Sequence, residues 1–441
     1  MKRFMISWGV VSLLSLAALT CAQAETIAPP QFTDVKVDSL LLEDAIAQAL
    51  ARNPDLAVFS LEKQALGART LQSSLLPNPR LAIDVDDAMG SGSFSGFDRS
   101  ETTIRLEQRI ELGGKRDARR HAGQMAESLA EWSYTGKRLD VLADVHKAFA
   151  ETLKSQHKIE LAQEQIELGE QFYNAVNEKV KAGQAPTIEI IKAQVALANY
   201  GIELKREEIE LDKARRELAR VCGADKPNFN QALGDLHRIE PVPPKEPLKQ
   251  RLLITPHLAF WESEEKRQQA MVDVELSKTI PDLSVSGGFR RVEETDDSAV
   301  VFGFSIPLQL FDRNQGGVAE ARIRYAQAGE RRKAAELQVY QTFQEAYQSL
   351  YYAHSFASAL QVKILPAAQK AFDAISEGYK YGKFGLLDVL DSQRTLFDTK
   401  AQYLDAVAEY HKASAELKHL TDSFTISSDE LGKESVEETS K

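Results

Sequence analysis

Gly183-Gln184-Ala185-Pro186-Thr187-Ile188-Glu189-Ile190-Ile191-Lys192-Ala193-Gln194 and Gly382-Lys383-Phe384-Gly385-Leu386-Leu387-Asp388-Val389-Leu390-Asp391-Ser392-Gln393 are two copies of one pattern. The copying extends upstream. Leu76-Pro77-Asn78-Pro79, which opens a short alternating stretch, is echoed by Ile280-Pro281-Asp282-Leu283, and Asn53-Pro54-Asp55-Leu56 by Thr255-Pro256-His257-Leu258. Solenoid repeats have periods of roughly 20 to 50 residues, so a unit of this size is a duplicated half-protein.

Each half joins two short strands to very long helices. In the first half a helix is expected from Leu41 to about Ser74, with a break allowed at Asn53-Pro54, and Pro77 and Pro79 stop it. A strand over 80–87 follows, in which Leu81, Ile83 and Val85 alternate with Ala82, Asp84 and Asp86. After a Gly/Ser-rich loop, the strand over 102–112 puts Ile104, Leu106, Ile110 and Leu112 on one face and Thr103, Arg105, Glu107, Arg109 and Glu111 on the other. Gly113-Gly114 ends it, and a proline-free helical pattern runs over 115–182, a rod of about 100 Å at 1.5 Å per residue. Gly183 breaks the rod and Pro186 starts a returning helix over 186–221. The linker from Cys222 to Glu246 is long and irregular enough to form a small side structure. The second half repeats the order: a helix from Leu248 to Lys278, strands over 282–291 and 299–310, Gly316-Gly317 in the place of Gly113-Gly114, and helices over 318–381 and 386–421. Pro366 is expected to kink or break the first of these helices. The organisation is thus a first repeat over 25–246, a second over 247–425, and a Ser/Glu/Lys-rich tail over 426–441 that is expected to be disordered.

The N-terminus reads as a secretory signal peptide over 1–24. Lys2 and Arg3 precede an apolar run, and Ala22-Gln23-Ala24 is an A-x-A cleavage site. The run is shorter than the ~20 residues of a spanning helix. Ala18-Leu19-Thr20 lacks the small residue usual before a lipidated cysteine, which argues against a lipid on Cys21. The only other cysteine is Cys222, so the mature chain holds no internal disulfide. With a net charge of −11 and no basic block, nucleic acid is not an expected partner.

The strands are close to the roughly 9 to 11 residues that cross a bilayer when tilted, and they alternate as a wall between lipid and water must. A soluble sheet with one buried face shows the same alternation. Export, and hairpins set between rods that offer no other core, favour the membrane. Four strands cannot close a barrel, and an open edge cannot face lipid. Spanning therefore requires several copies of the chain, two giving eight strands and three giving twelve.

On these residues the chain resembles the TolC-type outer membrane efflux proteins, over nearly the whole mature length. Ile110-Glu111-Leu112-Gly113-Gly114-Lys115-Arg116 and Pro307-Leu308-Gln309-Leu310-Phe311-Asp312-Arg313-Asn314-Gln315-Gly316 make it most like the outer membrane components of cobalt-zinc-cadmium pumps. The resemblance implies an α+β membrane protein. Four strands per chain would enter a shared twelve-stranded barrel in a homotrimer, continued by a twelve-helix tunnel through the periplasm. It implies a periplasmic adaptor and an inner-membrane proton-driven transporter as partners, and Gly183 and Gly382 as the periplasmic tips. Asp388 and Asp391 carry over as gate carboxylates, and Tyr379 as a residue that holds the closed state. The family pattern has an arginine two residues after the glycine matched by Gly382; here Phe384 stands there, beside Lys383, so the same ionic latch does not carry over.

The residues also speak for themselves. Asp388 and Asp391 share a helix face at i and i+3, and a ring of such pairs attracts cations. Acids in a first turn also cap a helix, a reading that stands beside the gate for Asp388 and is preferred for Glu189, whose partner position is Lys192. Asp84, Asp86, Arg105, Glu107, Arg109 and Glu111 would line the barrel lumen without one clean sign of charge. No catalytic constellation or phosphate loop appears, so no enzyme and no cofactor are expected. The eight histidines are scattered, each reads as a surface or interface residue, and no metal site is expected. The function expected is a passive exit duct for divalent heavy-metal cations. A duct for drugs or proteins, and a soluble periplasmic coiled-coil adaptor, are the alternatives.

Overall fold

The computed structural model describes residues 37–252 and 254–421. The signal peptide with Cys21, and the tail over 426–441, lie outside the described residues. The first repeat runs β1 (Val37–Leu41), α1 (Leu42–Arg52), α2 (Pro54–Ser73), β2 (Arg80–Asp86), β3 (Glu101–Ile110), α3 (Lys115–Lys181), α4 (Ile188–Val221) and β4 (Phe229–Leu233). The second runs α5 (Lys245–Leu252), α6 (Pro256–Ser277), β5 (Leu283–Val292), β6 (Asp297–Ser305), α7 (Gln315–Ala359), a π-helical turn (Leu360–Ile364), α8 (Leu365–Lys380) and α9 (Leu386–Leu420).

Prolines and their neighbours set several boundaries. Asn53 caps α2 by accepting from the N–H groups of Asp55 (2.9 Å) and Leu56 (3.3 Å), and its amide donates to the carbonyl of Val221 at 2.9 Å. One side chain thus starts α2 and ties it to the end of α4. The single helix expected over 248–278 is two helices, because Pro256 begins α6 and the chain turns at Thr255. The strand expected over 299–310 stops at Ser305; Pro307, just beyond, has no N–H to give a ladder. α7 begins at Gln315, so Gly316 and Gly317 lie inside the helix. The left-handed backbone that Gly113 and Gly114 supply in the first repeat is supplied by Asn314 (φ 58°) in the second. Pro366 neither breaks nor sharply ends its helix. The turn before it widens to π geometry, which absorbs the missing N–H and the ring.

The helices lie side by side in two layers that share α3. Toward the sheet the neighbours run α2, α3, α6, α7; toward the turns at Gly183 and Gly382, α4 packs on α3, α3 on α9 and α9 on α8. The waist between the layers holds the largest core. There Val141, Val145, Phe149 and Leu153 of α3 meet Leu218 and Val221 of α4, Leu404 and Val407 of α9, and a small parallel pair, β1 with β4. That pair is the side structure of the linker, completed by a strand just ahead of α1 where none is expected from the sequence. Cys222 is buried in this core, and burial pushes its thiol up to about 11, so it stays protonated and unreactive.

The four remaining strands form one antiparallel sheet in the order β2-β3-β5-β6. The join of β3 to β5 brings the two repeats together, with Ile104 opposite Phe289 and Glu107 opposite Ser286. β2 and β6 are left as open edges. Among the described residues no helix is long and apolar enough to cross a membrane.

Candidate functional site

The two duplicated turns fold alike. Gly183 and Gly382 both adopt φ +71°, the left-handed backbone that a Cβ opposes. After α3, Gly183 N–H donates to Val180 at 3.0 Å and Gln184 N–H to Lys179 at 2.8 Å; after α8, Gly382 N–H donates to Tyr379 at 3.1 Å and Lys383 N–H to Gly378 at 2.9 Å. These paired bonds satisfy the last carbonyls of each helix and return the chain at once.

Tyr379 is the side chain around which the turns meet. Its ring is buried with Val176 of α3, Phe372 of α8, and Leu386 and Val389 of α9. The Lys179 ammonium sits 3.7 Å from the ring centroid and donates to the Tyr379 carbonyl at 2.8 Å. The Tyr379 hydroxyl donates to Glu189 Oε2 at 3.5 Å, a long bond. Burial, and then the Glu189 charge, push the phenol above its ordinary 10.0, so it stays a neutral donor. Lys179 and Glu189 come from the first repeat and Tyr379 from the second. Lys179 carried no signal in the sequence. Glu189 did, through its equivalence to Asp388, but read there as a helix-end acid.

Asp388 and Asp391 both lie exposed on one face of α9. Asp388 Oδ2 accepts the Gly385 N–H at 2.8 Å, so this carboxylate caps the helix. Among the described residues no such bond ties the Asp391 carboxylate. Phe384 packs its ring against Gly378, where any Cβ would collide with it. The residue in the arginine position is thus an apolar wedge.

At the other end of the molecule the sheet has two unlike faces. Leu81, Ile83, Val85, Ile104, Leu106, Val285, Phe289, Val300, Phe302 and Phe304 fall on one face by register, and all are exposed, Phe302 at 86% and Phe304 at 85%. The opposite face carries Asp84, Asp86, Arg105, Glu107 and Arg109, joined by Glu101 and Arg290. Arg105 pairs with Asp84 at 3.1 Å, Arg290 with Glu101 at 2.9 Å, and Arg109 reaches Asp282 at 4.0 Å. A soluble sheet hides its apolar face; this one bares it and gathers its charges on the other side. Glu111 departs from the expected lining set. It lies one residue beyond β3, and its carboxylate, 8% exposed, is held by both arms of Arg119 at 2.6 and 2.8 Å. Among the described residues no cluster of three or more His, Cys, Asp or Glu side chains is arranged to hold a metal ion.

With this geometry the chain matches known proteins along most of its length. The description "Outer membrane efflux protein" fits residues 45–224 and 248–422, and the chain belongs to that family. It is 31% identical over 422 residues to the cobalt-zinc-cadmium resistance protein CzcC of Cupriavidus metallidurans, covering 95% of this chain and 99% of that one. It is 26% identical to the nickel and cobalt resistance protein CnrC of the same organism, over 66% of this chain and 69% of CnrC. The fold superposes on crystal structures of CusC with a TM-score of 0.75 at 17% identity, covering 90% of this chain and 95% of that chain. The class is therefore the outer membrane efflux ducts, seated in the outer membrane and extending into the periplasm. That membership overturns the soluble adaptor reading.

Proposed function

We propose that this chain is the exit duct of a tripartite efflux pump and that it passes divalent heavy-metal cations from the periplasm to the outside as a homotrimer. The observation that carries the reading is the inverted sheet, with bare apolar side chains on one face and charges on the other. The unpaired N–H and C=O groups of β2 and β6 would each cost several kcal/mol in lipid, so the sheet needs neighbours on both edges. Three copies give a twelve-stranded wall. The helices ask for neighbours too: Ile188, Ile191, Val195, Ile202 and Ile209 make an exposed heptad-spaced stripe on α4.

In this trimer Asp84, Asp86, Arg105, Glu107 and Arg109 line the lumen. The turns at Gly183 and Gly382 form the periplasmic end, where the adaptor docks and the inner-membrane transporter delivers its cargo. Asp388 and Asp391 from three chains set six carboxylates around the axis, an arrangement that concentrates cations. Tyr379 holds the closed state. Relatives named for cobalt, zinc, cadmium and nickel resistance support the metal cargo.

A strain lacking the gene tests the cargo: sensitivity to zinc, cobalt and cadmium is expected, restored by the intact gene. Sensitivity to drugs alone would replace the cation reading with an organic one. A monomer in detergent extracts of the outer membrane would remove the shared barrel.

A further inference from the structure

The waist of the molecule holds a pair of imidazoles that the duct does not use. His257 is the second residue of α6, and His419 is the last but one of α9. Their ring centroids lie 5.1 Å apart at an interplanar angle of 73°. Nε2 of His257 and Nδ1 of His419 are both buried, and among the described residues neither has a hydrogen-bond partner. Asp140 of α3 accepts from Nε2 of His419 at 2.8 Å. That bond places the His419 proton on Nε2 and leaves Nδ1 as a bare lone pair. An unpartnered buried nitrogen on each of two neighbouring rings is a cost the fold carries without return, unless a ligand takes up both.

We propose that His257 Nε2 and His419 Nδ1 bind one divalent transition-metal ion of the zinc, cobalt and nickel class, with Asp140 orienting His419. Metal–nitrogen bonds of about 2.0–2.1 Å at a tetrahedral angle hold two imidazole centroids about 5 Å apart, the spacing found here. The carboxylate on the far nitrogen of a ligand histidine is the usual outer partner of such a site. Two protein ligands leave the remaining positions to water, so the ion exchanges readily. His257 and Asp140 also line a cavity of about 690 Å³, which supplies an entry path. Lys137, which shares that lining, is paired with Asp55 at 3.6 Å. The first repeat has Asp55 where the second has His257, so both proposed ligands come from the second repeat and only the orienting Asp140 from the first. It stands on this geometry and not on the cargo of the duct; either can fail without the other.

Trp132 and Trp261 line the same cavity and report on it. The full mature chain in detergent is titrated with Co²⁺, and tryptophan quenching and the visible Co²⁺ bands are followed, with Zn²⁺ as competitor. One saturable Co²⁺ per chain is expected, displaced by Zn²⁺. His257→Gln and His419→Gln each weaken it at least tenfold, and Asp140→Asn weakens it about tenfold. His121→Gln, on α3 outside the cavity, leaves it unchanged. Pulsed EPR of the unmutated chain with Cu²⁺ should report two imidazole nitrogens, a reading that needs no variant to fold. Unsaturable Co²⁺ signals, titrations identical in the two histidine variants, or a single-imidazole Cu²⁺ spectrum would each overturn the site. Metal sensitivity of the gene-deleted strain, complemented with His257→Gln, separates this outcome from the duct: restored resistance with lost Co²⁺ binding leaves the duct standing, and lost Co²⁺ binding is still required for the site.

Discussion

The turns at Gly183 and Gly382 share the left-handed glycine and the two hydrogen bonds that end the incoming helix, yet they present different side chains. Position by position, Lys179 of the first stands where Gly378 stands in the second, Val180 where Tyr379 stands, Glu189 where Asp388 stands, and Lys192 where Asp391 stands. The backbone match makes two equal tips. The side-chain mismatch makes them complementary: the first turn supplies the cation and the carboxylate, and the second supplies the ring between them. Duplication built the frame, and divergence of the copies built the contact.

The largest test of that asymmetry removes the ring. Tyr379→Ala empties a buried aromatic site, a change worth about 3–5 kcal/mol, and leaves the Lys179 ammonium without its ring. A lower melting temperature and a larger conductance in planar bilayers are expected. Val180→Ala, the equivalent change in the first turn, should lose much less of both. Equal losses would mean that the tips are interchangeable.

The backbone match makes the opposite prediction. Gly183→Val and Gly382→Val each force a β-branched side chain to φ +71°, at about 1–2 kcal/mol apiece. Nothing lies within 4 Å of a Cβ at either glycine, so strain is the whole effect and the two melting shifts should agree. A clear difference between them would break the equivalence of the frames.

What the sequence made legible follows from the same division. Glycines, prolines and two- or 3.6-residue periods act locally, so the tip glycines, the strands and the span of α3 could be read directly. Partners brought together by the fold could not. Lys179 meets Tyr379, and His257 meets His419, only because α3, α6, α8 and α9 pack as they do. β1 was missed because a five-residue strand in a polar lead-in shows no period, and its pairing with β4 lies across the whole first repeat. At Pro366 a widened turn stands in place of a break, because a local rule names the problem a proline poses and not the way the helix solves it. Glu111 looked like one more luminal charge in an alternating strand until the fold brought Arg119 against it.

A smaller effect separates the two acids of the second turn. Asp388→Ala removes the acceptor for the Gly385 N–H, about 1 kcal/mol of helix capping. Asp391→Ala removes a charge without a bond and should leave the melting temperature unchanged. Both should lower cation selectivity in bilayers if the ring of carboxylates sets it. A selectivity change confined to Asp388→Ala would reduce the pair to one cap.

The smallest effect belongs to the hydroxyl. Tyr379→Phe keeps the ring under Lys179 and removes only the 3.5 Å bond to Glu189, so about 0.5 kcal/mol or less is expected at neutral pH. The difference should grow with alkalinity, and its sign can be worked out. The folded phenol titrates above 10.0, pushed there by burial and by the Glu189 charge. Above 10.0 the unfolded chain therefore releases this proton first, the folded state binds more protons, and stability falls as pH rises toward the folded value. Once ionised, the phenolate faces the Glu189 carboxylate across a bond that no longer has a proton, and the tip loosens. Conductance of the wild type should then rise above pH 10 more steeply than that of Tyr379→Phe, which lacks the titrating group. Val180, at the equivalent place in the first turn, has no group to titrate. If Tyr379→Phe opens along the same curve as the wild type, the hydroxyl takes no part in holding the tips, and the ring and Lys179 carry that contact between them.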